Sequence, residues 1–285
     1  MILLDGKSVA EKIRNNLGKK IEKIKKKTGE TPGLATILVG ADPASKIYVR
    51  IKHKACNEVG IDSREIRLPE DVSKEILIQE IEKLNHDKSI HGILLQLPLP
   101  PNLDPLEMMN KIDPKKDVDG FHPINAGNLL IGKENFIPCT PKGILTLFTE
   151  YDIEVKGKNI VIINHSNIVG KPLSLLLLNR NATITVCHEY TKDLKQFTKL
   201  ADILIIGIGK AKFIKKEMIK KGVVIIDVGI NRIEGKLYGD VDFEDVKEVV
   251  SSITPVPGGV GPMTVASLLE NTFLAFKKLE ITTSF

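Results

Sequence analysis

The chain has no tryptophan, only three cysteines and 5% aromatic residues in a length of 285. Cys56, Cys139 and Cys187 are odd in number, far apart and form no C-x-x-C. That pattern argues against a disulfide framework or a cysteine-rich zinc site and suits a reducing cytoplasm. No apolar run approaches the roughly 18 residues that a membrane span needs. The opening Met1-Ile-Leu-Leu-Asp-Gly-Lys7 has no basic region followed by an apolar one, so neither a membrane partner nor a signal peptide is expected. A large excess of one charge is missing too, since 41 basic against 36 acidic residues leave +5. The densest basic run, Lys19 to Lys27, has Leu17, Ile21 and Ile24 at helical spacing and reads as the solvated face of an amphipathic helix. Without interleaved aromatics it does not suggest a nucleic-acid partner, whereas a mild positive field suits an anionic small molecule.

What is present is an ordinary globular composition, 42% hydrophobic and 27% charged, in a chain long enough for two domains. The first half alternates helix and strand. Helix is expected over 7–27, from the Asp42-Pro43 cap to Gly60, and over 73–84; strand over 33–40, 63–68 and 91–97. Residues 102–123 read as loop with one short helix. Thr140-Pro141 caps a helix over 142–151. Val/Ile-rich strands then follow at 159–164, 182–188, 202–207, 223–229 and 252–256, with helices between the first four. A hairpin over 232–239, a helix over 242–250 and a long helix over 262–280 complete the reading. Continuous apolar strands separated by helices indicate parallel sheets covered on both faces, hence an α/β fold in two domains.

Several strings carry chemistry. Tyr48 and Lys52 lie one turn apart on a helix face. A free lysine titrates near 10.4, so proton exchange at neutral pH requires burial or a neighbouring cation; an ordinary surface pair is the alternative. Gln96 ends an apolar strand before Leu97-Pro-Leu-Pro100, at the carboxyl edge where α/β sheets bind ligands, or else caps its own turn. In Lys116-Asp-Val-Asp-Gly-Phe-His-Pro123, Asp117 and Asp119 flank a turn closed by Gly120. The spacing matches no zinc or EF-hand pattern, so no metal is expected, and a carboxylate receiving a heterocycle's N–H groups is a further option. Thr254-Pro-Val-Pro-Gly-Gly-Val-Gly-Pro-Met-Thr264 follows a strand and opens a helix at Pro262, which suits a ligand-contacting loop. Val161 to Pro172 runs strand, turn, helix as a nucleotide loop would, but lacks the first glycine of G-x-G-x-x-G, with Asn164 near its place.

Taken in order, these strings resemble the bifunctional methylenetetrahydrofolate dehydrogenase/cyclohydrolase family over essentially the whole chain. Ile2–Lys7, Pro43–Val49, Gly92–Pro100, Lys116–Pro123, Pro138–Pro141, Ile226–Asn231 and Thr254–Thr264 carry the likeness. The resemblance implies a folate-binding catalytic domain over 1–140 plus 268–285 and an NAD(P)-binding Rossmann-like domain over 141–267. It implies oxidation of 5,10-methylenetetrahydrofolate and hydrolysis of the product to 10-formyltetrahydrofolate in one-carbon metabolism, by a cytoplasmic homodimer joined through the nucleotide-binding domain. Lys52 would be the general acid/base, with Tyr48 packing on the folate and Gln96 hydrogen-bonded to the lysine. Asp119 would bind the pterin, and the loop ending at Pro262 would line the cleft. Asn164, His165, Ser166, Gly170, Glu189 and Ile230 would contact the cofactor.

The family's turn reads Gly-x-Ser-x-x-Val-Gly, so Asn164 replaces a glycine while Ser166, Val169 and Gly170 remain. Asparagine tolerates left-handed geometry, by which the turn is expected to survive. His165 stands where many relatives carry arginine, and Glu189 where a ribose 2′-hydroxyl would be recognised and a phosphate repelled. Both lean toward NAD against a family habit of NADP, with Lys192 a nearby cation for a phosphate. Two rivals use the same residues. In short-chain dehydrogenases the dinucleotide loop precedes the Tyr/Lys pair, the reverse of the order here. A non-catalytic folate- or nucleotide-binding regulatory protein would be expected to lack the complete set of Tyr48, Lys52, Gln96 and Asp119.

Overall fold

In order, a computed structural model, which describes residues 1–283, holds β1 (Ile2–Leu3), α1 (Gly6–Thr28), β2 (Gly33–Val39), α2 (Pro43–Val59), β3 (Asp62–Leu68) and α3 (Lys74–His86). Next come β4 (Gly92–Leu95), α4 (Pro105–Met109), α5 (Pro123–Leu130), α6 (Cys139–Glu150), β5 (Asn159–Ile163), α7 (Gly170–Leu178), β6 (Thr183–Cys187) and α8 (Leu194–Thr198). Then follow β7 (Ile203–Ile206), a 3-10 turn at Lys216–Met218, β8 (Val224–Asp227), β9 (Asn231–Ile233), β10 (Lys236–Tyr238), α9 (Phe243–Val246), β11 (Ser252–Ile253) and α10 (Val260–Thr283). The chain divides into two compact units. One is Lys12–Cys139 with the chain from Val265 onward; the other is Met1–Glu11 with Thr140–Thr264. Among the described residues no helix is long and apolar enough to cross a membrane.

The first unit is built on a parallel sheet ordered β3-β2-β4. Every residue of β2 and β4 is buried, and the period of two sorts them between two cores. Ala35, Ile37 and Val39, with Ile93 and Leu95, join Leu77, Ile81 and Met108. Leu34 and Leu94 instead join Leu17, Ile21, Cys56 and Leu269. A strand buried on both faces has no polar side, which is why its sequence is continuously apolar.

The second unit holds a six-stranded parallel sheet ordered β1-β11-β8-β7-β5-β6. The same sorting recurs: Val161, Ile163, Leu204 and Ile206 face one core, while Ile160, Ile162, Ile203 and Ile205 face the other. The chain passes from β5 to β6 on one side and crosses back to β7 on the other. Their adjacent carboxyl ends therefore form a topological switch point, the place where such sheets bind ligands.

Several expectations need correction. β1 is too short for a periodicity reading, and its pairing with β11 draws residues 1–11, expected with the folate domain, into the six-stranded unit. By packing, the division between the two units falls within α10, between Thr264 and Val265. β11 stops at Ile253 instead of running to 256, because Pro255 and Pro257 have no N–H for the ladder. A 3-10 turn replaces the helix expected between β7 and β8. Lys212 takes φ +54 there, and Ile214 is held extended by a bridge to Val241. The helix expected over 242–250 is helical only over Phe243–Val246, and α5 occupies the stretch just past the expected loop.

Candidate active site

α2 is fixed at both ends by local chemistry. Asp42 accepts from the Ser45 amide at 2.7 Å, Pro43 opens the helix, and Gly60 closes it at φ +84. Ser45 Oγ reaches Leu97 O, just past β4, at 3.4 Å. The helix therefore runs past the carboxyl end of β4, and Lys52 Nζ donates to Gln96 Oε1 at 3.0 Å. Gln96 is aimed by two further bonds, its Nε2 to Leu97 O at 2.7 Å and its backbone amide to Ile37 O at 2.9 Å. Lys52 is half-buried, and Tyr48, one turn earlier, is 39% exposed. Partial burial pushes the Tyr48 phenol up, so it stays neutral.

The acidic turn separates into two roles. Asp117 is buried and accepts from the amides of Gly120, Phe121 and His122 and from Asn125 Nδ2, at 3.1, 3.2, 2.8 and 2.8 Å. Gly120 closes the turn at φ +75. Lys116 is buried as well, and its ammonium donates to Leu84 O and Asp87 O, tying the turn to the end of α3. Asn271 of α10 donates to Val118 O at 2.8 Å and to Ile137 O at 3.0 Å. Neither Lys116 nor Asn271 was expected at this site. Both are polar residues within otherwise apolar or loop segments, which is the only signal they carry. Asp119 takes no part in this cradle and lies within the electrostatic reach of Lys52. Burial pushes its carboxyl up, the Lys52 ammonium opposes this, Asp117 adds to it, and the Cys139 thiol, 3.6 Å away, opposes it weakly. Among the described residues no group of His, Cys, Asp or Glu could hold a metal ion.

In the six-stranded unit the loop after β5 is held in an unexpected way. Asn164 is not among the residues with positive φ, so left-handed tolerance is not its use. Its side chain is a staple. Oδ1 accepts from Ser166 N, Ser166 Oγ and Gly170 N at 2.9, 2.7 and 3.0 Å, while Nδ2 donates to Gly207 O at 2.5 Å. The amide thus bridges β5 and β7 across the switch point. A Cβ on Gly170 would lie 1.9 Å from Asn164 O, so only glycine lets α7 start this close to the strand.

Asn164, His165 and Ser166 line a cavity of about 440 Å³ with His188, Glu189, Gly207, Ile208, Lys210 and Phe213. Its size and its place at the amino end of α7 suit the adenosine-phosphate half of a dinucleotide. His165 Nδ1 is 3.7 Å from Glu189 Oε2, and its ring is 5.1 Å from that of His188. Lys192 is exposed, and Lys210, not Lys192, is the lysine on the cavity wall. Ile230 and Pro262 line a separate pocket of about 140 Å³ with Gly229, Pro255 and Gly261.

A doubly covered parallel sheet with a stapled strand–turn–helix beside a nucleotide-sized cavity marks a dinucleotide-binding α/β protein, here with a second unit carrying a lysine–glutamine pair. Residues 4–119 match the catalytic domain, and residues 138–280 the NAD(P)-binding domain, of tetrahydrofolate dehydrogenase/cyclohydrolase; the chain belongs to that family. It is 53% identical over 97% of its length, and 96% of the relative's, to bifunctional protein FolD of Methanococcoides burtonii. The crystal structure of the FolD methylenetetrahydrofolate dehydrogenase/cyclohydrolase from Campylobacter jejuni is similar at TM-score 0.96 and 51% identity, covering 98% of this chain and 99% of that one. A Trypanosoma brucei relative solved with NADP and an inhibitor (TM-score 0.94, 36% identity, 98% of each chain) is similar too. So is the NAD-dependent methylenetetrahydrofolate dehydrogenase of Saccharomyces cerevisiae (TM-score 0.81, 26% identity, 98% of each chain).

The staple makes a counter-intuitive prediction. Asn164→Gly, which supplies the glycine missing from the loop's pattern, removes four hydrogen bonds worth about 1 kcal/mol each. It is expected to lower the thermal midpoint and to weaken dinucleotide binding by about tenfold in a fluorescence titration; tighter binding would count against the staple.

Proposed function

We propose that this protein oxidises 5,10-methylenetetrahydrofolate to 5,10-methenyltetrahydrofolate with NAD(P)+ and hydrolyses that product to 10-formyltetrahydrofolate. The carrying observation is the Lys52–Gln96 hydrogen bond, with the Asp119 carboxyl in the field of the same ammonium. NAD(P)+, when bound, accepts the hydride that leaves the substrate's methylene carbon. The chain's own residues do the rest. Tyr48 offers a half-exposed ring for the folate to pack on, and Asp119 an acceptor for the pterin's amino and N–H groups. Gln96 keeps the Lys52 Nζ at one place.

Hydrolysis needs a proton taken from the water that adds to the methenyl carbon and one delivered to the ring nitrogen that leaves it. A lysine amine can do both in turn. A tethered glutamine contributes aim without adding a charge of its own. Lys52→Met is expected to lower methenyl-folate hydrolysis by at least about 100-fold, the lower range for loss of a general acid/base. Near-normal turnover would sink the role given to Lys52.

For the dinucleotide, Glu189 on the cavity edge accepts a ribose 2′-hydroxyl and repels a 2′-phosphate, and His165 beside it is no permanent cation. We therefore assign NAD as the preferred cofactor. Glu189→Gln is expected to shift the NADP/NAD ratio of kcat/KM toward NADP by about tenfold, equivalent to ~1.4 kcal/mol. A wild-type enzyme strongly favouring NADP would refute the assignment.

The free edge of β6, with Val186 and Leu178 exposed near it, supports a homodimer formed through this unit. Sedimentation of the purified chain is then expected at about 63 kDa, twice its 31.5 kDa, and a monomer mass would exclude the dimer. The three buried cysteines, none of them in a disulfide, suit a reducing cytoplasm.

A further inference from the structure

The six-stranded unit contains a pair of buried carboxylates that the chemistry above does not use. Asp227 ends β8 and is 3% exposed; Asp240 follows β10 and is fully buried. Asp227 Oδ1 accepts from the amides of Gly229 and Asp240, both at 3.0 Å, and its Oδ2 from the Val241 amide at 2.9 Å. Asp240 Oδ2 accepts from the amides of Ile208 and Gly209 at 2.5 and 3.0 Å. Its Oδ1 accepts from Asn231 Nδ2 at 2.8 Å. All six donors are uncharged amides.

Burying two carboxylates on neutral dipoles carries a desolvation cost, which the six amide donors offset. The cost is visible at Asp227, where burial pushes the carboxyl up to about 6; the three amides oppose that and Asp240 adds to it. The backbone is bare where it meets these groups. A Cβ on Gly229 would lie 2.3 Å from Asp240 Cγ, and one on Gly239 would lie 1.9 Å from Asp227 Oδ2.

The connections run in a definite direction. Ile208 lines the larger cavity, beside Asn164 and Glu189. Asp227 and Gly229 both line the smaller pocket, beside Ile230 and Pro262. Asp240 grips the loop after β7, Asp227 grips the loop after β8, and the Asp240 amide on Asp227 joins the two grips. We propose that Asp227 and Asp240 are positioning residues that set the spacing between these loops, and so the fit of the two halves of one dinucleotide to the two cavities. This rests on the reading that the cavities receive NAD(P).

The test is steady-state kinetics and ligand titration on the full chain. Asp240→Asn and Asp227→Asn each turn one acceptor oxygen into an N–H donor, and Asn231→Ala removes a single donor to Asp240. KM for NAD(P) is expected to rise about tenfold in both aspartate variants and about threefold in Asn231→Ala. Hydrolysis of methenyltetrahydrofolate, which takes no dinucleotide, stays within about twofold. Asp227→Asn is also expected to weaken 5′-AMP binding about threefold, although Asp227 does not line the larger cavity.

An unchanged KM for NAD(P) overturns the proposal. So does an equal fall in both activities, which would mark a purely structural loss. If the aspartate variants do not fold, Asn231→Ala decides, and an unaltered KM there is equally fatal. A wild-type chain that binds neither 5′-AMP nor NAD(P) would instead sink the dinucleotide reading on which the inference stands.

Discussion

Strands buried on both faces leave nowhere for chemistry except their ends. In β2, β4, β5 and β7 successive apolar residues are delivered to opposite cores, so these strands leave no open face to a ligand. What the sheets do offer is a rigid row of carboxyl ends, from which loops must leave with amides that have lost their ladder partners. Gln96, Asn164, Asp227 and the loop after Ile253 all stand at such ends. The candidate site is where the sheets run out.

Each exit is stabilised by a side chain acting as a surrogate strand. Asn164 fills this role between β5 and β7, and Asp227 and Asp240 fill it between β7, β8 and the hairpin β9–β10. In the three-stranded unit Asp117 collects three successive loop amides and Asn125, while Gln96 leans on Leu97 O. The side chains assigned to ligands, Lys52, Asp119 and Glu189, sit beside these organisers. The division is economical, because a carboxylate saturated by four donors cannot also bind substrate, while its neighbour two residues on is kept in place and left available.

Much of this was legible in the sequence. Apolar runs broken by Gly, Pro and Asp punctuation located the longer strands and helices, because those signals are local. The Asp42-Pro43 cap and the Gly60 stop are single-residue effects and appear in the structure as read. The Lys52–Gln96 pairing, separated by 44 residues, came from the resemblance, since no spacing rule predicts a contact across two elements. What was hidden is non-local. β1 has two residues and no periodicity, and it exists only because β11 pairs with it. Asn164 looked like a conformational substitute for glycine, whereas its amide reaches Gly207, 43 positions away. Asp240 sat unremarked after a hairpin because its importance lies in amides contributed by a loop some thirty residues upstream.

The edge strand β1 has a consequence for how the molecule is made. Residues 2 and 3 pair with residues 252 and 253, so β1 completes a sheet whose neighbouring strand is synthesised long after it. Loop closure over such a span brings no contact energy until nearly everything between has been ordered. On a ribosome that adds some 5–20 residues per second, β1 has to wait many seconds for its partner. The three-stranded sheet, complete by Leu95, has no such delay. Its strands can pair while the other sheet is still being translated, so the two sheets have different timetables of assembly although they belong to one chain.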